Sequence, residues 1–136
     1  MFSRPGGIAF APSGDLYVAD TGNNALRQIT SGAVVTTFAG KAGLDRPCGS
    51  VAELLSSPQS LAVDSAGAIY VVNSGANSIC RVTPDGFVYY LLGGPMIGTV
   101  LGPLPTTIDP PQGIAARPDG QIVFTVDSAV LVTTAL

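Results

Sequence analysis

The sequence predicts an all-β fold built from small antiparallel sheets that repeat along the chain. Three observations carry that prediction. Pro5, Pro58 and Pro111 stand at a constant spacing of 53 residues, and from each proline the text runs in register. Apolar stretches rich in β-formers alternate with turns rich in Gly, Pro, Asp and Ser. The composition fits: 17 glycines and 11 prolines make about a fifth of the 136 residues, only 11% are charged, and 46% are hydrophobic. Such a chain has neither the charge of a disordered tail nor the Ala/Glu/Lys/Leu bias of a coiled coil or helical bundle.

The register is visible in PGGIAFAPSGDLYVADTGNN (5–24), PQSLAVDSAGAIYVVNSGAN (58–77) and PQGIAARPDGQIVFTVDSA (111–129). Ile8, Leu61 and Ile114 coincide, as do Ala9, Ala62 and Ala115, and Gly14, Gly67 and Gly120. A fixed period of this kind is the signature of a repeat architecture. In each unit a first strand is expected at Ile8–Phe10, Leu61–Val63 and Ile114–Ala116. A tight turn follows, whose glycine supplies a positive φ. The second strands are Leu16–Ala19, Ile69–Val72 and Ile122–Thr125, rich in β-branched and aromatic residues. Polar turns (Asp20–Asn24 and Asn73–Asn77) lead to third strands at Ala25–Ile29 and Ser78–Val82. Fourth strands follow at Ala33–Ala39 and Phe87–Leu92. The third unit runs directly into Val130–Thr134, which leaves room for a third strand and not a fourth. Four meandering strands per unit, repeated, describe the blades of a β-propeller.

These phrases resemble the NHL-repeat family of propellers. The pattern is carried by Gly7-Ile8-Ala9, Leu16-Tyr17-Val18-Ala19-Asp20-Thr21-Gly22-Asn23-Asn24, Leu26-Arg27-Gln28-Ile29 and Phe38-Ala39-Gly40. The segment Cys48–Pro58 resembles the long linker of one NHL subgroup, with a glycine-rich approach and a short helical turn before the proline. The resemblance is clear over 5–94 and weaker beyond. It implies one partial-propeller domain: blade 1 at 5–40, a linker at 41–57, blade 2 at 58–94, a linker at 95–110 and an incomplete blade 3 at 111–136. Cys80 stands where the family has its arginine (Arg27 in unit one). The family's aspartate (Asp20) becomes Asn73 and then Val126, with Asp127 one step on.

NHL propellers resemble six-bladed rings most often, and closure takes four or more blades. Three blades make an open wedge with apolar faces and strand edges uncovered. Either the chain is a piece of a longer propeller, or it is completed by a partner: a second copy closing a six-bladed ring, or another protein.

The candidate binding residues are Asp20, Asn23, Asn24, Asn73, Asn77 and Asp127, all in or beside the loops after the second strands. A ring of polar loops on one propeller face is where ligands bind; the same residue types also hold turns by bonding local backbone N–H groups. Arg27 and Arg81 suit a carboxylate, either a ligand's or that of a neighbouring turn residue such as Asp20. Tyr17 and Tyr70 repeat at one offset, as blade-packing residues do; Tyr89 and Tyr90 break it, and one of the pair is expected to face outward.

No catalytic residue, metal ligand set or cofactor is predicted, and the chain is read as a non-enzyme. There is no histidine, hence no Ser-His-Asp or Cys-His arrangement. The histidine-held metal of the amidating lyases, which some NHL propellers resemble, has no ligands here. Six-bladed lactonases hold a divalent cation with a carboxylate and asparagines at the ring centre. That resemblance leaves a fragment of a lactonase- or lyase-like enzyme as the alternative to a protein-binding, scaffolding module. Glu53 is one of the few acids available, and nothing in the sequence brings it to the others. Nucleic acid is excluded as a partner by six scattered Lys/Arg against nine Asp/Glu, since phosphate binding needs clustered cations. Gly86–Leu104 runs without a charge, yet Gly93, Gly94, Pro95, Gly98, Gly102 and Pro103 interrupt it, so a membrane span is not predicted. Met1–Gly6 lacks a signal-peptide layout, and the localisation stays open. Cys48 and Cys80 are equally compatible with one disulfide or two thiols.

Overall fold

The computed structural model describes residues 1–41, 48, 55–93, 108 and 110–133. Within them the chain forms eleven strands in three antiparallel sheets. The first sheet runs β1 (Pro5–Phe10), β2 (Leu16–Asp20), β3 (Ala25–Ile29) and β4 (Val35–Gly40), in that spatial order. The second repeats it with β5 (Pro58–Val63), β6 (Ile69–Asn73), β7 (Ser78–Val82) and β8 (Val88–Gly93). The third has β9 (Ile114–Ala116), β10 (Ile122–Val126) and β11 (Ala129–Val132). These are the blades expected from the repeat, and the sheets do not close into a ring.

The turns show how local the repeat's instructions are. Gly14, Gly67 and Gly120 donate their N–H groups to Ala11, Asp64 and Arg117, at 2.9, 3.1 and 3.1 Å. All three glycines have φ between +84° and +89°, the left-handed region that costs other residues energy. The β7–β8 turn places Gly86 (φ +91°) in the same role in blade 2, but the corresponding β3–β4 turn of blade 1 has Ala33 there, at φ +60°. Ala33 is therefore a turn residue, and β4 begins at Val35 rather than at Ala33. β8 likewise starts one residue later than expected, after the turn of Gly86.

The first strands begin earlier than expected, at Pro5 and Pro58. Each pairs through an irregularity: Pro5 lies opposite Asp20 and Ile8 opposite Val18, and Pro58 and Ser60 repeat this against Asn73 and Val72. The early start is where blades meet. A Cβ on Gly6 would lie 2.4 Å from the carbonyl oxygen of Gln59, and one on Gly7 would lie 2.9 Å from Ser60 Cα. The first strands of blades 1 and 2 thus approach backbone to backbone. In blade 3, β11 spans Ala129–Val132, one residue earlier than expected. Thr133 follows it, buried, donating its N–H to Ile122 O (3.0 Å) and accepting the Ile122 N–H on Oγ1 (3.1 Å).

Burial is concentrated between sheets. One cluster joins blade 1 (Tyr17, Ala19, Leu26) to blade 2 (Leu61, Ile69, Val71, Val82, Val88). A second joins blade 2 (Tyr70, Ile79) to blade 3 (Ile122, Phe124). Tyr17 and Tyr70 are blade-packing residues, as their offset implied; Tyr89 and Tyr90 are both exposed, rather than one of them. A disulfide links Cys48, in the first linker, to Cys80 on β7, and both cysteines are buried. The helical turn expected before Pro58 falls mainly on 49–54 and lies outside the described residues, as do Arg46, Glu53 and most of the 95–110 linker. Among the described residues no helix is long and apolar enough to cross a membrane.

Two outcomes are expected. Ala33→Gly relieves the left-handed alanine and raises stability by roughly 0.5 kcal/mol, the strain released less the added freedom of the unfolded chain. Urea unfolding with circular dichroism measures it, and a loss of stability would contradict the turn assignment. Reducing the disulfide lowers stability by about 2–4 kcal/mol, read as a fall in the urea midpoint with dithiothreitol; an unchanged midpoint would show that the bond is not formed.

Candidate functional site

Five of the six candidate residues lie at the β2–β3 and β6–β7 turns, each a single turn of 3-10 helix: Thr21–Asn23 and Ser74–Ala76. Asp20 ends β2 and is fully buried. One carboxylate oxygen accepts the Ser3 backbone N–H at 2.7 Å. The other accepts Asn23 Nδ2–H at 2.8 Å and Arg27 Nε–H at 2.8 Å. Burial alone would raise the Asp20 pKa; these donors, Ser3 foremost and then Asn23 and Arg27, hold it below the ordinary carboxylate value. Arg27 also donates from Nη1 to Thr37 Oγ1. The arginine therefore serves the neighbouring carboxylate, as one of its two readings expected.

Blade 2 builds the same junction from neutral parts. Asn73, fully buried, accepts the Ser56 N–H on Oδ1 at 2.6 Å and donates from Nδ2 to Ser78 Oγ at 3.4 Å. Cys80, at the register of Arg27, is bonded to Cys48. Arg81 lies one residue on, against the Tyr70 hydroxyl and away from the Asn73 turn.

Asn24 and Asn77 close their 3-10 turns in the left-handed conformation, at φ 51° and 48°. Asn24 also spans two blades: its Oδ1 accepts the Ser57 N–H at 2.8 Å, and Thr21 Oγ1 donates to Pro58 O at 2.6 Å. One repeat beyond Ser57 is Pro110, which has no N–H to offer Asn77. Asp127 sits exposed in the tight β10–β11 turn. The structure thus brings Asp20, Asn23 and Arg27 together and places Asn24 across the blade junction. Asn73 and Asn77 belong to the next blade's turn, and Asp127 stands apart from both sets.

A second repeated feature escaped sequence reasoning. At the opposite end of the blades a cavity of about 490 Å³ opens between blades 1 and 2, lined by Asp15, Tyr17, Gln28, Phe38 and Gly67. Its counterpart of about 470 Å³ lies between blades 2 and 3, lined by Asp64, Tyr70, Arg81, Leu91 and Gly120. Four lining positions correspond at the 53-residue spacing: Tyr17 with Tyr70, Gln28 with Arg81, Phe38 with Leu91, and Gly67 with Gly120. Gln28 donates to Asp15 at 2.9 Å and the Tyr70 hydroxyl to Asp64 at 3.1 Å. Burial pushes both tyrosine hydroxyls to higher pKa, and the nearby Asp15 and Asp64 add to it. The available signal was the recurring polar residue two positions after Leu26 and Ile79. Among the described residues no group of three or more Asp, Glu, Cys or His is placed to hold a metal ion.

The family model of the NHL repeat matches residues 2–29, which cover β1, β2, β3 and the Asp20–Arg27 junction. The chain carries an NHL repeat. Solved propeller structures align with this chain over almost all of its length. A Bacteroides thetaiotaomicron protein of unknown function aligns with a TM-score of 0.75 at 18% identity, over 93% of this chain and 34% of its own. A Xanthomonas campestris gluconolactonase gives 0.68 at 17% identity, over 93% and 36%. Virginiamycin B lyase from Staphylococcus aureus gives 0.60 at 22% identity, over 97% and 41%. The likeness is one of fold, and the chain spans little more than a third of these proteins' length. A comparison with curated protein sequences gives no match.

Asp20→Asn leaves Arg27 without its carboxylate and is expected to lower stability by about 1.5–3 kcal/mol at pH 7. The sign with pH follows from the depressed pKa. The carboxylate's contribution is present above the unfolded value near 4 and is lost as pH falls through the lower folded value. Urea midpoints of wild type and variant should converge as pH falls below the unfolded carboxylate value; a constant gap would show that the charge at Asp20 contributes nothing.

Proposed function

We propose that this chain is a non-catalytic binding or scaffolding module, completed at its outer blade faces by a second protein surface. The observation that supports it is the exposure of apolar side chains at positions the repeat buries elsewhere. Ile8 and Val35 on blade 1 are 62% and 50% exposed, whereas their counterparts in blade 2, Leu61 and Val88, are 5% and 6% exposed. Exposed apolar faces of this kind mark interaction surfaces. The buried polar residues at the blade ends, Asp20 and Asn73, are engaged in holding turns, which favours a structural role for that end.

The fold likeness to a gluconolactonase and to virginiamycin B lyase favours a second reading, that the chain is part of a propeller enzyme with a central divalent cation. An assay with a sugar lactone and a streptogramin B, with and without Ca²⁺, separates the two. The binding reading expects turnover at the buffer rate under every condition. Calcium-dependent turnover that a chelator abolishes would overturn it.

A further inference from the structure

The cavity between blades 1 and 2 is formed entirely by two complete blades, each with its four strands. Its walls come from blade 1 (Asp15, Tyr17, Gln28 and Phe38) and from two turns of blade 2, at Gly67 and Pro84. At about 490 Å³ it lies within the range of small-molecule sites, about 300–1,000 Å³.

Its chemistry is one-sided. Asp15 Oδ2 accepts Gln28 Nε2–H at 2.9 Å and the Ser13 hydroxyl at 3.2 Å. Both donors are neutral, and the one ion pair among the described residues, Asp20–Arg27, lies at the other end of the blade. Asp15 Oδ1, the Gln28 amide oxygen and the Tyr17 hydroxyl make no hydrogen bond among the described residues. No Lys or Arg among those residues lines the cavity. Aromatic rings complete it: Tyr17 and Phe38 meet edge to face, with centroids 4.9 Å apart. A carboxylate attracts a cation by its charge, and aromatic rings do so by their quadrupole.

The counterpart cavity between blades 2 and 3 lacks this polarity. There both oxygens of Asp64 are engaged, Oδ1 by the Ala66 and Ala68 N–H groups at 2.9 Å each and Oδ2 by the Tyr70 hydroxyl at 3.1 Å. Arg81, at the 53-residue register of Gln28, adds a cation to that lining. The two cavities correspond in position and volume and differ in charge.

We infer that the blade 1–blade 2 cavity binds a small organic ammonium ion. The ammonium takes Asp15 Oδ1 and the Gln28 amide oxygen, and an apolar body lies against Tyr17 and Phe38. A primary ammonium, all donor and no acceptor, suits this set. A calcium ion does not, because one carboxylate falls short of the about six to eight oxygens it takes. The site is separate from the outer blade faces and goes beyond the binding-module reading.

Isothermal titration with phenethylammonium at neutral pH, paired with amide NMR shifts, tests it. A single equivalent per chain is expected to bind, with shifts centred on Asp15, Gln28 and Gly67. Phenethyl alcohol and hydrocinnamate keep the apolar body and change the charge, and both should bind at least about tenfold more weakly. Asp15→Asn should weaken ammonium binding by about tenfold or more, as losing a charged hydrogen bond does. Gln28→Arg, which copies blade 2, should weaken it likewise and carries the test if Asp15→Asn loses its β-sheet circular dichroism. Absence of saturable binding, equal binding of the alcohol, shifts centred elsewhere, or a folded Asp15→Asn of unchanged affinity would overturn the assignment. So would the same shifts on adding Ca²⁺ alone. The binding-module reading does not depend on any of these outcomes, because it rests on the outer faces.

Discussion

Everything in this structure depends on blades packing face to face. A three- or four-stranded sheet has no interior, and here both apolar clusters lie between sheets rather than within one. Blade 2 is covered on both faces and supplies most of the fully buried strand residues, with β6 buried throughout. The two neighbouring blades are each covered on one. The glycines at the start of blade 1 serve the same contact, because any side chain at Gly6 would collide with the backbone of the next blade. The hydrophobic effect therefore stabilises the stack and no single unit, as in other repeat proteins.

The polar end of each blade solves one problem in two ways. The chain entering a blade leaves a backbone N–H (Ser3 or Ser56) that must be satisfied where water is excluded. Blade 1 uses a carboxylate, which then needs Arg27 and Asn23 around it. Blade 2 uses the neutral Asn73, so the arginine is dispensable, and its position is taken by a cysteine that ties the linker down. The paired change of Asp to Asn and Arg to Cys is physically coherent: losing the charge removes the reason for the counter-charge.

Much of this was legible in the sequence because it is local and repeated. The turn glycines, the strand alternation and the 53-residue period each fixed an element, and Asp20 beside Arg27 was readable as a pair. What escaped was what depends on neighbouring blades. The early start of β1 and β5 comes from the backbone contact at Gly6 and Gly7, and no strand propensity signals it. Ala33 looked like a strand residue because nothing but its register with Gly86 marks it as a turn. Cys48 and Cys80 left two states open, since their pairing depends on how the linker returns to β7. The inter-blade cavities are assembled from two units and have no motif within either.

Amide hydrogen exchange, resolved by segment, addresses the central claim most directly, that stability resides in blade-to-blade contact. In dilute solution, β5–β7 should exchange slowest, with β1–β2 and β10–β11 faster. Equal protection of all three blades would show that each sheet is stable by itself and would contradict the account.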